Sequence, residues 1–295
     1  MKSPSHGALA GLALACAGSS VQAHGIAGNR FFPATIATDD PAVADELSLP
    51  TVSVFKTGDS PAGVETDVAG EYSKRLTSRL GVSVAESWTH VSTPGAPTVS
   101  GFQNLETTLK YQALTSAEHE AIVSFGLSAE WGGTGAARVG AEGVTRLSPT
   151  IYFGKGAGDL PDRLAWARPF AVTGLVGYAV PVRGGQTSTL TYGAALEYSL
   201  SYLSAHVRDE GLPRWVNQLT PLVEVSLETP VANRLGAGTT GTVNPGIIWS
   251  GRKVQIGLEA IVPVNRASGR GVGAAFQAHW FIDDLLPRSL GKPVW

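Results

Sequence analysis

The sequence predicts an all-β protein, a transmembrane antiparallel up-and-down β-barrel of about 12 strands. Apolar or aromatic residues recur at every second position in seven segments, for example from Leu190 to Tyr202. This period of two is typical of strands with two unlike faces. Many segments run for about 10 residues, which suits a tilted strand crossing a bilayer better than a soluble sheet. Aromatic residues lie near the ends of apolar rows, as in a membrane girdle: Trp88, Tyr111, Trp131, Tyr202, Trp249 and Trp280.

The composition agrees with a protein whose outer surface contacts lipid. Charged residues make up 16% of the 295 residues, against about 25% in soluble domains. With 22 basic and 24 acidic residues, the chain is not a strongly basic nucleic-acid binder. A hydrophobic fraction of 43% argues against disorder. Alternation would also suit a secreted soluble sandwich with its apolar face inside, so that alternative remains open.

The N-terminus has the pattern of an export signal. Lys2 precedes an uncharged apolar run over residues 8–17, which is half the length of about 20 residues that a membrane helix needs. Val21-Gln22-Ala23 fits a small-x-small cleavage site. We interpret residues 1–23 as a signal peptide, which predicts the bacterial cell outer membrane as the destination; the alternative is a cytosolic protein with an apolar first helix.

The remaining chain divides into three predicted parts. Residues 24–47 form a periplasmic N-terminal segment or plug, 48–281 form the barrel, and 282–295 form a C-terminal extension. A plug is favoured by the combination of Phe31-Phe32 with Asp39-Asp40; a disordered periplasmic tail is the alternative. Two helical turns are expected at 159–166 and 209–215. The predicted strands lie near 48–56, 64–76, 80–90, 103–114, 119–131, 147–154, 168–180, 188–203, 218–228, 241–250, 253–264 and 271–281, an even number, as in bacterial barrels.

If the apolar rows face lipid, the polar rows line the lumen. The charged and histidine residues on these rows are Glu71, Arg75, Glu106, Lys110, Glu130, Glu197, Glu224, Glu228, Glu259 and His279. An acid-rich lumen attracts cations, but we favour the plainer interpretation that these acids pair with bases and water inside a narrow barrel. His24, as a mature N-terminus, offers an amine and an imidazole to a metal; this is a weak candidate, and no other metal site is expected.

No catalytic motif stands out. The chain has no Gly-x-Ser-x-Gly nucleophile elbow, no HExxH and no cysteine ligand set. We therefore predict a protein that is not an enzyme and has no cofactor. Alternatives are a closed structural or metal-handling outer-membrane protein and an outer-membrane hydrolase.

Three stretches near the end, Asn244–Arg252, Val254–Asn265 and Ser268–Gly273, resemble the last strands of a proteobacterial outer-membrane family. The family is named for the meta-pathway of phenol degradation and is often grouped with β-barrel porins. Residues 24–50 are also similar to its members. The resemblance implies a barrel for passive uptake of small molecules, with hydrophobic or aromatic ones suggested by the family name. Expected partners are outer-membrane lipid, the solute and the barrel-assembly machinery, but no nucleic acid.

Overall fold

The computed structural model describes residues 25–232 and 238–295, and this part of the chain forms a closed antiparallel barrel. A small hairpin, β1 (Ile26–Ala27) and β2 (Arg30–Phe31), precedes it. The wall consists of β3 (Glu46–Lys56), β4 (Val64–Arg75), β5 (Leu80–Ser92), β6 (Val99–Phe102), β7 (Glu106–Ser116), β8 (Ala121–Glu130), β9 (Arg146–Gly156), β10 (Phe170–Pro181), β11 (Ser188–Tyr198), β12 (Leu219–Ala232), β13 (Thr240–Ser250), β14 (Val254–Pro263) and β15 (Gly273–Phe281).

The barrel has an up-and-down order, because strands that follow each other in the chain are paired, with one exception at β6, and β15 closes the cylinder on β3. Strands β6 and β7 pair with consecutive stretches of β5, and together they occupy one place in the wall. The wall therefore counts as 12 strands. The predicted fold class and strand number are confirmed.

The two faces of the wall have opposite chemistry. Outward side chains are apolar and exposed; Phe125 is 50% and Leu258 is 53% accessible. Inward side chains include Ser124 and Glu224, which have no accessible surface. Cross-strand neighbours in one outward row are Tyr111, Phe125, Ile151, Val176, Tyr192 and Leu227. A soluble sandwich would place these apolar residues in its core, so that alternative is wrong.

Short helical pieces lie in the connections: α1 (Leu200–Tyr202), α2 (Arg214–Asn217), α3 (Ile282–Leu285) and a 3₁₀ turn at Asp162–Ala167. The helical turns expected at 159–166 and 209–215 are present, but they begin three and five residues later than predicted and end one and two residues later. In the described ranges, no helix has the length and apolar character that a membrane crossing requires.

The predicted strand at 188–203 is too long, and the girdle position given to Tyr202 is wrong. Strand β11 ends at Tyr198 because the Ser199 hydroxyl accepts a hydrogen bond from the Tyr202 backbone N–H at 3.2 Å. This N-cap starts a helical turn and ends the alternation. Tyr202 consequently points into the protein and is 7% exposed.

The two barrel ends differ in what they carry. We call the end where β3 begins and β15 stops the terminal rim, and the opposite end the distal rim. The terminal rim carries the connections 76–79, 117–120, 157–169, 199–218 and 251–253. The C-terminal residues also lie there, where the backbone N–H groups of Val294 and Trp295 bond to the carbonyls of Arg75 and Leu76 at 3.2 and 2.9 Å.

Candidate functional site in the barrel lumen

Residues 25–45, which we call the N-terminal segment, occupy the barrel interior beside the terminal rim. Phe32, Val43 and Asp45 are all buried. The segment enters from the terminal rim, reverses direction around residues 36–39, and returns to the start of β3. Its contacts fall into three groups: one at its first residues, one at the reversal and one at its last residue.

At the reversal, the Glu224 carboxylate binds three consecutive backbone N–H groups. It accepts from Ile36 at 2.8 Å, from Ala37 at 3.1 Å and from Thr38 at 2.7 Å, and the Thr38 hydroxyl adds a fourth bond at 2.8 Å. Successive N–H groups that converge in this way form an anion-binding nest. Because the acceptor is charged, these bonds are stronger than neutral ones. Glu224 therefore fixes the innermost turn of the segment to β12.

Other inward side chains bind the backbone on either side of this turn. Gln255 donates from Nε2 to the Ala34 carbonyl at 2.6 Å, and the Ser124 hydroxyl donates to the Pro41 carbonyl at 2.5 Å. Glycines on the inward rows allow this close approach, since a Cβ at each would lie within about 3 Å of a segment side chain. They are Gly81, Gly154, Gly193 and Gly257.

At the start of the segment, Arg30 is 1% exposed and fully engaged. It donates to the Glu120 carboxylate at 3.2 Å and to the Pro169 and Arg168 carbonyls at 3.0 and 2.5 Å. Its guanidinium also lies 3.8 Å from the Tyr202 ring centre. The Tyr202 hydroxyl donates to Glu120 at 2.7 Å. Burial and this charged neighbour raise the pKa of Tyr202 to about 12, so the hydroxyl keeps its proton.

At the end of the segment, Asp45 forms two ion pairs. Its carboxylate lies 2.8 Å from Arg75 Nε and 2.7 Å from Lys74 Nζ. Arg75 also donates from Nη2 to the Gly291 carbonyl at 3.2 Å, which joins the C-terminal residues to this cluster. Both ends of the N-terminal segment are thus fixed at the terminal rim by buried charge pairs. Breaking such a pair destabilises the folded protein, because removal of one partner leaves a buried charge uncompensated.

The structure distributes the sequence-predicted lumen residues among several environments. Glu224 and Arg75 hold the N-terminal segment, and Lys110 pairs with Asp39 of that segment at 2.7 Å. The others have partners in the wall or lie nearer the distal rim. Glu197 accepts from Thr173 at 3.0 Å, Glu259 from Asn244 at 3.1 Å, Glu130 from Asn104 at 2.9 Å and Glu71 from Ser73 at 3.3 Å, while Glu106 and Glu228 are exposed.

The histidine candidates have different outcomes. His279 is buried, with Nδ1 at 2.8 Å from the Ser48 hydroxyl and Nε2 at 3.4 Å from the Glu46 carboxylate. His24 lies outside the described residues. Sequence reasoning missed Arg30, Asp45 and Glu120; the inward glycines were the available signal that something packs against the wall.

A cavity of about 250 Å³ remains between the N-terminal segment and the strands β3, β4, β5, β7 and β15. Asp40 of the segment borders it and is 9% exposed. Burial raises the pKa of Asp40 from 3.8 to about 7, and the nearby Glu46 carboxylate adds to the shift. The Asp40 side chain also accepts a hydrogen bond from the Ala42 N–H at 2.7 Å. An asparagine could keep that bond without a buried charge.

Asp40→Asn is therefore expected to strengthen binding of the segment at alkaline pH. Because the bound segment raises this pKa, binding favours the protonated acid. The contribution of Asp40 to binding of the segment is fully present below about pH 4 and is lost as pH rises through 7. Hydrogen exchange, corrected for intrinsic rates, measures this effect. At pH 8 the amides of residues 36–43 should be better protected in the variant than in wild type, and at pH 4 their protection should be equal. Asp39→Asn, which breaks the Lys110 pair, should lower protection; the same result for both variants would contradict the prediction.

The closed wall, its apolar outer face and its polar lumen define a porin-like transmembrane β-barrel. The structure is similar to an outer membrane channel from Pseudomonas putida F1, with a TM-score of 0.52 and 14% sequence identity over 85% of this chain and 99% of that chain. The NanC porin and the KdgM porin both align at a TM-score of 0.46, with 9% and 11% identity, over 79% of this chain and 98% of each porin.

No protein-family model and no curated protein matches the chain. At the identities found, the structural similarity shows the fold alone. The narrower resemblance to the phenol meta-pathway family therefore stays a prediction.

Proposed function

We propose that this protein is an outer-membrane channel for the passive passage of small solutes. The observation that carries the proposal is the cavity of about 250 Å³ left open inside a polar-lined barrel whose outer face is apolar. Such an outer face needs lipid around it. The proposal places residues 1–23 as the export signal, outer-membrane lipid as the surroundings and the barrel-assembly machinery as the insertion partner.

In this proposal, the N-terminal segment is a plug that narrows the lumen from the terminal rim; the plug predicted at 24–47 ends at residue 45, because Glu46 and Leu47 already pair in β3. The described part of the plug is bound at both ends and at its innermost turn, and the cavity beside it is the space that the proposal gives to solute. The cavity on that route is bordered by Asp39, Asp40, Glu46 and Glu71, together with Lys110. A lumen with more carboxylates than bases favours cations over anions. Neutral solutes pass according to size.

The phenol-pathway resemblance supports small hydrophobic or aromatic molecules as one class of cargo. Hydroxylated aromatics combine a flat apolar ring with a hydroxyl group, and the serine, threonine and glutamate side chains of the inward rows offer acceptors for such a group. Phenol is therefore a suitable probe beside sugars and amino acids.

The proposal predicts permeability of reconstituted protein. Proteoliposomes containing the refolded full-length chain should swell in isotonic glycine, and faster than in a trisaccharide. In planar bilayers, the reversal potential under a KCl gradient should show preference for potassium. A folded barrel that neither swells liposomes nor conducts ions would contradict the proposal and favour a closed structural protein.

A further inference from the structure

The cavity beside the N-terminal segment is bordered by several hydrogen-bond acceptors. One of them is the Gln277 amide oxygen. Gln277 is 5% exposed and its Nε2 donates to the Thr51 hydroxyl at 3.2 Å. Its Oε1 is buried and has no hydrogen-bond partner in the protein. A buried acceptor without a partner lowers the stability of the protein. Because this acceptor borders a cavity, a ligand with a hydrogen-bond donor would satisfy it.

The charges around the cavity are also unbalanced in favour of acceptors. Four carboxylates border it, against one lysine and one histidine. Lys110 is already used by Asp39 at 2.7 Å and by the Asp40 carbonyl at 2.9 Å. Glu71 accepts from the hydroxyl of Ser73 at 3.3 Å, which is a contact with a neutral group. A ligand for this cavity should therefore bring positive charge and N–H donors.

The apolar part of the lining is small and aliphatic, and serine and threonine side chains lie beside it. It includes Ala34, Ala42, Val43, Ala44, Ala69 and Ala85. These side chains leave room for a short alkyl chain, whose burial is favourable because it removes apolar surface from water. Among the residues that the structure describes, no group of three or more His, Cys, Asp or Glu side chains could hold a metal ion. An organic cation suits the lining better than an inorganic one.

We propose that the cavity binds a small primary ammonium ion with a short aliphatic chain, with Glu71 accepting its charge and the Gln277 amide oxygen accepting one N–H. The inference rests on the proposed channel function and deepens it, since it names the class of solute that the route retains. The ammonium group has three N–H donors, enough for Glu71, Gln277 and a third acceptor of the cavity. A carboxylate or phosphate ligand would face the same acids with the wrong sign.

The test is isothermal titration calorimetry of the refolded full-length barrel in detergent micelles with n-butylammonium chloride. We expect saturable binding of one molecule per barrel. Gln277→Leu and Glu71→Gln should each raise the dissociation constant about tenfold. The first change removes the buried acceptor, and the second removes the negative charge that pairs with the ammonium ion. Glu228→Gln, a matched change at an exposed acid outside the cavity, should bind as wild type. Butan-1-ol and sodium butyrate should bind much more weakly.

Absence of saturable binding to a barrel with native heat-modifiable mobility would overturn the inference. So would equal affinity for butan-1-ol, or wild-type affinity in both cavity variants. If one cavity variant fails to fold, the other still decides. Because calorimetry measures equilibrium binding, it is independent of conductance: a barrel that binds butylammonium but passes no solute would refute the channel proposal alone, and one that conducts but does not bind would refute this site alone.

Discussion

Glu224→Gln is expected to increase the frequency of high-conductance openings in planar bilayers roughly thirtyfold. The Glu224 carboxylate accepts four hydrogen bonds from the turn of the N-terminal segment. An amide of the same size keeps one acceptor oxygen and turns N–H donors toward the remaining N–H groups. Buried donors are then left unpaired, and a loss of about 2 kcal/mol corresponds to that change in the population of the released turn.

The matched control is Glu228→Gln, four residues nearer the distal rim on the same face of β12. Glu228 is exposed, and within the described part of the chain its side chain makes no hydrogen bond to the N-terminal segment. Single-channel recordings should show long-lived high-conductance states in the Glu224 variant and wild-type behaviour in the control. Hydrogen exchange should report the same release, through faster exchange of the amides of residues 36–38. Unchanged exchange together with unchanged conductance would refute the role given to the nest.

Phe125→Lys is expected to prevent stable insertion of the barrel into lipid. Phe125 lies in the middle of β8, points outward and is 50% exposed. A lysine at the bilayer midplane on the lipid face of a barrel costs about 2–4 kcal/mol. Ser128→Lys is the matched control, because Ser128 lies on the inward face of the same strand, across from Thr108 at 2.7 Å between hydroxyls. A lysine there would have Glu106 and Glu130 as neighbours.

Folding into phosphocholine vesicles, followed by heat-modifiable gel mobility and by urea titration, would measure this difference. The Phe125 variant should insert poorly and unfold at lower urea, while the Ser128 variant should remain close to wild type. Equal destabilisation by the two lysines would mean that the two faces of β8 do not differ in their surroundings. That outcome would contradict the assignment of the outer face to lipid.

The wall of the barrel could be predicted from the sequence because the pattern that specifies a strand lies within a few neighbouring residues. Alternating side chains specify which face of a strand meets lipid, and neighbouring residues such as Phe125 and Ser128 carry that information within a few positions. The same rule failed at Tyr202, where the Ser199 hydroxyl caps a helical turn. The alternation of apolar residues continues through that turn by coincidence, so the pattern alone could not show where β11 ends.

The candidate site was only partly predictable. Glu224, Arg75 and Lys110 were found because they lie on inward rows, but what they bind could not be read from those rows. Arg30 and Glu120 are 90 residues apart in the chain, and no local pattern connects them. Their pairing exists only after the wall has closed and brought distant connections to one rim.

That dependence has a consequence for the order of assembly. The N-terminal segment leaves the ribosome before any wall strand, yet its contacts join residue 36 to residue 224 and residue 34 to residue 255. Closing such long loops is slow. Docking of the segment is therefore complete only once β12 and β14 have taken their places in the wall, although the segment is the first part of the described chain to be synthesised.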